Sequence, residues 1–493
     1  MELPATFEPQ VTFQDLPTEI LANIFVETLP DDALEKSQPN VRISPMLLCQ
    51  VCSRWRSIAL QLPRLWMCLY HLVRVPSFVL TKSGFLNRGI HPISREFLEW
   101  WWCNLGKNYP FHFRFHSGFE RSSFNPKEAL LVPKCFDPGK AFVQDPILVT
   151  LFNLAQHLDI DHHKAWMVHR CPELTFPNLE TLRIRKDPNA SFLPQKICAL
   201  RSEPPIPKLH FQDFDLRTAF LEKPTISWSS LTHLVFDAVR LSSFTWFDLI
   251  RSCVNLEFGH FELRLHYYYS EDLPLPNPPY FTHLHLRRLV IGWHDYERDC
   301  GQIMLKNLFL PSLTAFRIFA RLTAPMLHHI LESTPSLVEL HLGRDVAPNH
   351  IWDLPYHDED RLPDSLSKYA PNLRHLVVQI VYIGEPMKDI IDNVFSSRWL
   401  QLEEPTNNVR TLEIQTSRYL VMDLRRELDV NVKLAHTPIH GLKVTVVADD
   451  EPMLWESYTI SDKSSFRHFE EANFGGHRHA VRRLTRADSE EYW

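Results

Sequence analysis

One phrase, Leu-x-x-Leu-x-Leu, returns along the body of this chain and limits its fold more than any other feature. It runs through Leu179, Leu182 and Ile184, then Leu231, Leu234 and Phe236, then Leu286, Leu289 and Ile291. It continues as Leu313, Phe316 and Ile318, as Leu337, Leu340 and Leu342, as Leu373, Leu376 and Val378, and as Val409, Leu412 and Ile414. The starts are separated by 52, 55, 27, 24, 36 and 36 residues. The two longest gaps each leave room for a degenerate copy, and Leu209 (Pro-Lys-Leu-His-Phe) and Leu256 (Val-Asn-Leu-Glu-Phe) are the candidates. Each copy predicts a short strand whose alternate residues point inward. Between copies the chain can turn helical, most clearly over Leu322–Ser333, where Leu327, Ile330 and Leu331 share a face. One such unit cannot bury its apolar side alone, whereas stacked units share a continuous core. The expected fold class is α/β with parallel strands in a repeat stack. An ordinary α/β domain with Leu-rich strands is the competing reading.

A second pattern lies near the N-terminus. Pro17 is placed to start a helix, since its missing N–H would be unpaired there anyway, and Glu19 sits in the first turn. Ile20 and Ile24, and Leu21 and Phe25, are four apart and give one broad apolar stripe. Ser44 and Pro45 open a second helix, on which Leu47, Leu48, Val51, Cys52, Trp55, Ile58 and Ala59 recur at three- and four-residue steps. Arg54 and Arg56 fall on its wetter side, Pro63 ends the run, and Leu65 and Trp66 return apolar mass to the bundle. Elements this small suit docking onto another protein better than catalysis.

This segment resembles an F-box. The shared elements are Leu16–Leu21, Ile24–Phe25, Val51–Ala59 and Pro63–Trp66, in the family's order. The gap from Leu29 to Val41 is longer than in compact members, though the large fungal F-box families tolerate such a gap. The repeats in turn resemble irregular leucine-rich repeats, with the usual Asn mostly absent. The resemblance implies a substrate-recognition subunit of a Skp–cullin–F-box ubiquitin ligase. Its F-box would dock on a Skp-type adaptor, and through it a cullin, while the repeats hold a protein substrate. It implies adaptor contacts by Leu16, Pro17, Ile20, Leu21, Ile24, Phe25, Val51, Cys52, Trp55, Leu65 and Trp66. A non-catalytic scaffold that uses the F-box outside a ligase is the alternative, and two core helices of a larger domain is the plainest reading.

The chain divides into an N-terminal arm (1–12), the F-box-like segment (13–74), linking helices and atypical first repeats (75–175), the repeat region (176–450) and a polar tail (451–493). In the linking part, Phe97, Leu98, Trp100, Trp101, Trp102 and Leu105 predict a helix, and Phe111, Phe113 and Phe115 predict a half-buried strand. Leu148–Leu158 reads as a further helix and Ser117–Asp145 as a disordered insertion. Leu442–Val447 reads as a last strand, and the tail carries Arg478, Arg482, Arg483 and Arg486.

Composition narrows the function classes. The net charge of -7 is spread along the chain and argues against a nucleic-acid binder. No apolar run is long enough for a membrane span or a secretory signal. The 9 scattered cysteines fit free thiols in a reducing compartment, cytosolic or nuclear. Only 13 glycines are present, and no phosphate-cradling glycine motif and no Gly-x-Ser-x-Gly elbow occurs. Cys49 and Cys52 form half of a zinc pattern with no second half, so buried thiols are expected, with no metal and no cofactor. No catalytic residues are assigned. Substrate recognition is expected at the outward repeat positions Arg183, Val235, Val290, Arg317, His341, Val377 and Glu413. The insertion His266–Tyr280, with Tyr267, Tyr268 and Tyr269, is a candidate lip beside them, unless these tyrosines pack onto the repeats instead.

Overall fold

A computed structural model describes residues 13, 15–28, 45–66, 68–73, 78–81, 84–87, 103, 111–117, 146–161, 174–185, 205–212, 214, 226–265, 280–294, 304–319, 324–342, 369–380, 411–416 and 443–448. The predicted helix around Trp100–Trp102, the insertion Ser117–Asp145 beyond its first residue, the tyrosines 267–269 and the basic tail lie outside the described residues.

The fold is α/β and dominated by one parallel sheet. Its thirteen strands are β1 (Cys68–Val73), β4 (His112–Ser117), β5 (His157–Asp161), β6 (Thr181–Arg185), β7 (Lys208–Gln212), β8 (His233–Leu241), β9 (Phe258–Leu265), β11 (Arg288–His294), β13 (Ala315–Phe319), β14 (Glu339–Leu342), β15 (His375–Ile380), β16 (Thr411–Thr416) and β17 (Lys443–Ala448). They lie side by side in chain order. A hairpin of β2 (Phe78–Thr81) and β3 (Gly84–Asn87) stands apart, as does a short pair of β10 (Phe281–Thr282) and β12 (Leu308–Phe309).

The recurring phrase sets the register. Leu182, Leu209, Leu234, Gly259, Leu289, Phe316, Leu340, Leu376 and Leu412 align in one cross-strand row. Ile184, Phe211, Phe236, Phe261, Ile291, Ile318 and Leu342 form the next. Both hidden copies exist: Leu209 leads into Phe211 on β7, and Leu256 precedes β9 with no exposure. In the second of them glycine stands where the others carry Leu or Phe. A Cβ on Gly259 would come within 2.5 Å of the Phe261 ring, which fills that space itself. Phe211, Phe236 and Phe261 then meet edge to face at 5.7 and 5.5 Å, the arrangement that aromatic quadrupoles favour.

The strands begin alike. At eight of them two successive amides donate to one carbonyl of the preceding unit, as Glu180 and Thr181 do to Gln156, and Val338 and Glu339 to Thr314, at 2.8–3.2 Å. Two strands of the large sheet exceed expectation, as do the four short strands outside it. Cys68–Val73 extends the sheet beyond the predicted first strand, and His157–Asp161 occupies part of the predicted helix Leu148–Leu158. That helix stops at Leu154, because Ala155 and Gln156 turn the chain into the sheet.

Among the described residues the α-helices are α1 (Thr18–Glu27), α2 (Leu48–Val51), α3 (Ser53–Leu60), α4 (Pro146–Leu154), α5 (Ser243–Ser252) and α6 (Ala324–Ser333). Ser242 caps α5, accepting from the Thr245 amide at 3.1 Å, as N-cap hydroxyls do. Leu327, Ile330 and Leu331 of α6 are buried as predicted. His283 pins the loop after α5: its Nε2–H donates to the Cys253 carbonyl at 2.9 Å, and its Nδ1 accepts from the Leu286 amide at 3.1 Å. One continuous apolar cluster runs from Leu21 and Phe25 of α1 to Leu376 of β15.

Candidate functional site

Two places present chemistry: the N-terminal helices and the face of the sheet opposite the core.

The N-terminal helices depart from the predicted pair. Pro17 is the N-cap of α1 and not its first residue, with φ -55° and ψ 150°. Its carbonyl accepts from the Leu21 amide at 3.1 Å. The second predicted helix is broken at Cys52, whose backbone is extended at φ -158° and ψ 171°. The Cys52 Sγ caps α3 by accepting from the Trp55 amide at 3.4 Å. Arg56 donates from Nε to the Cys49 carbonyl at 2.7 Å, which satisfies an acceptor at the end of α2. Burial pushes the Cys49 thiol up, opposed by the Arg56 charge, so that thiol is protonated at neutral pH.

The break sorts the apolar side chains. Leu21, Phe25, Leu48, Ile58, Ala59, Leu65 and Trp66 are buried. Trp55 packs on Phe25 with ring centroids 4.8 Å apart, and the Trp66 indole N–H donates to the Ala59 carbonyl at 3.0 Å. Facing outward are Phe13 at 60%, Ile20 at 46%, Leu47 at 45% and Val51 at 54% exposure. These are four of the seven large exposed apolar side chains among the described residues. Of the predicted docking residues, Pro17, Ile20 and Val51 are exposed, while Leu16, Ile24, Cys52 and Trp55 are half-buried. Leu21, Phe25, Leu65 and Trp66 are core, so they support a surface without forming it. Phe13 and Leu47 join the exposed set without being among the predicted docking residues. Helical periodicity assigns Leu47 to the inner stripe, because it cannot register the turn at Cys52.

On the sheet, the predicted substrate positions do fall in one line. Asp159, Arg183, His210, Val235, His260, Val290, Arg317, His341, Val377 and Glu413 are successive cross-strand neighbours. They face away from the main apolar cluster, to which Val235, Val290 and Val377 do not belong. Their expected exposure is not found. Arg183, Val235, Val290, Arg317, His341 and Val377 are only 1–7% exposed. The Glu413 side chain lies outside the described residues. Adjacent strands run about 4.8 Å apart, so each side chain of such a row shades the next. Asp159, His210 and His260 belong to the row but not to the predicted set, although the alternation around Leu209 already points to His210.

Charge is paired across this face. Arg185 grips Asp159 with two hydrogen bonds of 3.0 and 2.6 Å, and Arg183 approaches the same carboxylate at 3.9 Å. Arg183 also donates to Gln212 at 2.8 Å, and His260 lies 3.3 Å from Glu262. Burial, helped by Lys208, pushes His157 down to about 3. Burial, helped by Lys208 and Arg288, pushes His233 down to about 4. His341 is held well below the usual imidazole range by burial and by Arg317. These three imidazoles are neutral at physiological pH.

Among the described residues, no group of three or more His, Cys, Asp or Glu is placed to hold a metal, and no helix is long and apolar enough to cross a membrane. Comparison with protein-family models and with curated proteins finds no match.

Proposed function

We propose that this chain is an F-box receptor subunit. Helices α1–α3 and the turn Pro63–Trp66 form the F-box and dock on a Skp-type adaptor through Pro17, Ile20 and Val51, with Phe13 and Leu47 alongside. The parallel sheet and its helices are an irregular leucine-rich-repeat-like solenoid that holds a protein substrate. The chain makes and breaks no bonds. It raises the local concentration of a substrate lysine near a ubiquitin-charged enzyme.

One observation carries this reading. Exposed apolar side chains concentrate on the smallest helical part of the molecule, on top of a core that is already complete. Large apolar side chains left exposed on one small element suit an interaction site. The low exposure of the sheet's polar row favours a second reading, a scaffold that uses the F-box for assembly without presenting a substrate there.

The test is capture of a recombinant Skp-type adaptor by the full chain, with Ile20→Glu and Val51→Glu combined as the variant. Both positions are exposed, so the variant should melt like the parent and lose adaptor affinity by roughly a hundredfold or more. Equal capture by both proteins refutes the docking assignment. Recovery of a cullin with the adaptor separates the ligase reading from the scaffold.

A further inference from the structure

We infer that Arg54 is a positioning residue for the N-terminal docking edge, an inference that rests on the docking reading above. Its guanidinium Nη2 donates to the Leu16 carbonyl at 2.6 Å, joining residues 38 apart in sequence. This carbonyl lies just before the Pro17 N-cap, outside the helix's own hydrogen bonds. Proline has no N–H, so Pro17 cannot itself donate a hydrogen bond to hold the backbone here. The neighbouring Trp55 supplies a second grip, meeting the Phe13 ring edge to face at 6.2 Å. Two consecutive residues of α3 therefore fix the segment that leads into α1. That segment carries Phe13 and Pro17, and its direction sets where the first turn of α1 presents Ile20.

A charge-assisted bond of this length is among the stronger polar contacts in proteins. Losing it frees the Leu16–Pro17 backbone while leaving the core side chains in place, because the bond ends on a main-chain carbonyl and not on the buried Leu21, Phe25 or Trp66. Docking would then bear the cost of ordering the segment. Arg54 does not have to touch the adaptor to act in this way.

The full chain is compared with its Arg54→Met, Arg54→Lys and Ile20→Glu variants for binding to a recombinant Skp-type adaptor, for melting and for amide exchange. Arg54→Met is expected to weaken the adaptor complex roughly tenfold with little change in melting. The Leu21 amide, which closes the first turn onto Pro17, should exchange faster. Arg54→Lys, which can still reach one carbonyl, should recover most of the affinity and slow that exchange again. If Arg54→Met binds normally and exchanges normally while Ile20→Glu loses binding, Arg54 has no positioning role and the docking reading stands. If neither Arg54→Met nor Ile20→Glu changes binding, both ideas fall. If Arg54→Met does not fold, Arg54→Ala takes its place and is read in the same way: a faster Leu21 amide with weaker binding supports the inference, and wild-type values for both overturn it.

Discussion

The N-terminal helices and the parallel sheet both bury a row of apolar side chains, yet they treat the remaining apolar residues differently. On α1–α3, Ile20, Leu47 and Val51 are left outside a finished core. On the sheet, Val235, Val290 and Val377 sit on the face opposite the core and are nearly as buried as the core itself. The cause is geometric. A helix diverges its side chains over a full turn, so a short bundle always keeps an outer face. A long parallel sheet stacks like positions about 4.8 Å apart, and each neighbour covers the next. Apolar exposure on the helices is therefore what our docking proposal rests on, whereas residue type on the sheet's second face does not reveal accessibility.

The contrast is most directly challenged in the aromatic row. Phe236→Ala removes a ring with no exposure and two edge-to-face partners. It should cost about 3–5 kcal/mol, read by denaturant unfolding. Asp159→Asn comes next. It leaves Arg183 and Arg185 facing an uncharged amide in a nearly buried setting, and a loss of about 3 kcal/mol is expected. A loss below about 0.5 kcal/mol would mean the face is more hydrated than its burial indicates. Gly259→Leu restores the repeat phrase and should nevertheless destabilise by roughly 1–3 kcal/mol, because the new side chain meets the Phe261 ring. If the variant gains stability, the repeat phrase outranks local packing.

Acid provides a finer test. His157 and His233, at about 3 and about 4, are depressed below an unfolded value near 6.5. The unfolded chain then binds more protons between those values, so stability is present above about pH 6.5 and is lost as the pH falls. Each such group contributes a slope of up to about 1.4 kcal/mol per pH unit. His233→Gln should flatten the slope between about pH 6 and pH 4, as measured by unfolding across that range. Smallest of all is Ile20→Ser, which should change stability by no more than about 0.5 kcal/mol, in contrast with its effect on docking. A larger loss would place Ile20 in the core.

Much of the sheet is legible in the amino-acid sequence because its phrase repeats with period two inside each strand and returns many times. Arg183, Val235 and His341 can be aligned from the phrase alone, since register follows from Leu182, Leu234 and Leu340. The strand His157–Asp161 is hidden because only two residues separate it from an apolar helix, with neither Gly nor Pro between them. The break at Cys52 is hidden for another reason. The apolar spacing runs through it undisturbed, and cysteine is not among the usual capping residues. Exposure of the polar row is illegible because alternation reports which face a residue takes and says nothing of how crowded that face is.

The paired amides that begin eight of the strands have a further consequence. Each pair of main-chain amides takes its bearing from a carbonyl of the unit before it, joined by the side-chain hydroxyl only at Thr232 and Thr314. The step from strand to strand is thus measured by the backbone and is indifferent to what the intervening chain contains. This explains how spacings from 24 to 55 residues between recognised phrases coexist with an unbroken strand order. It also makes the connecting segments the part of the molecule most open to change. They can lengthen or shorten while the ruler that positions the sheet stays the same.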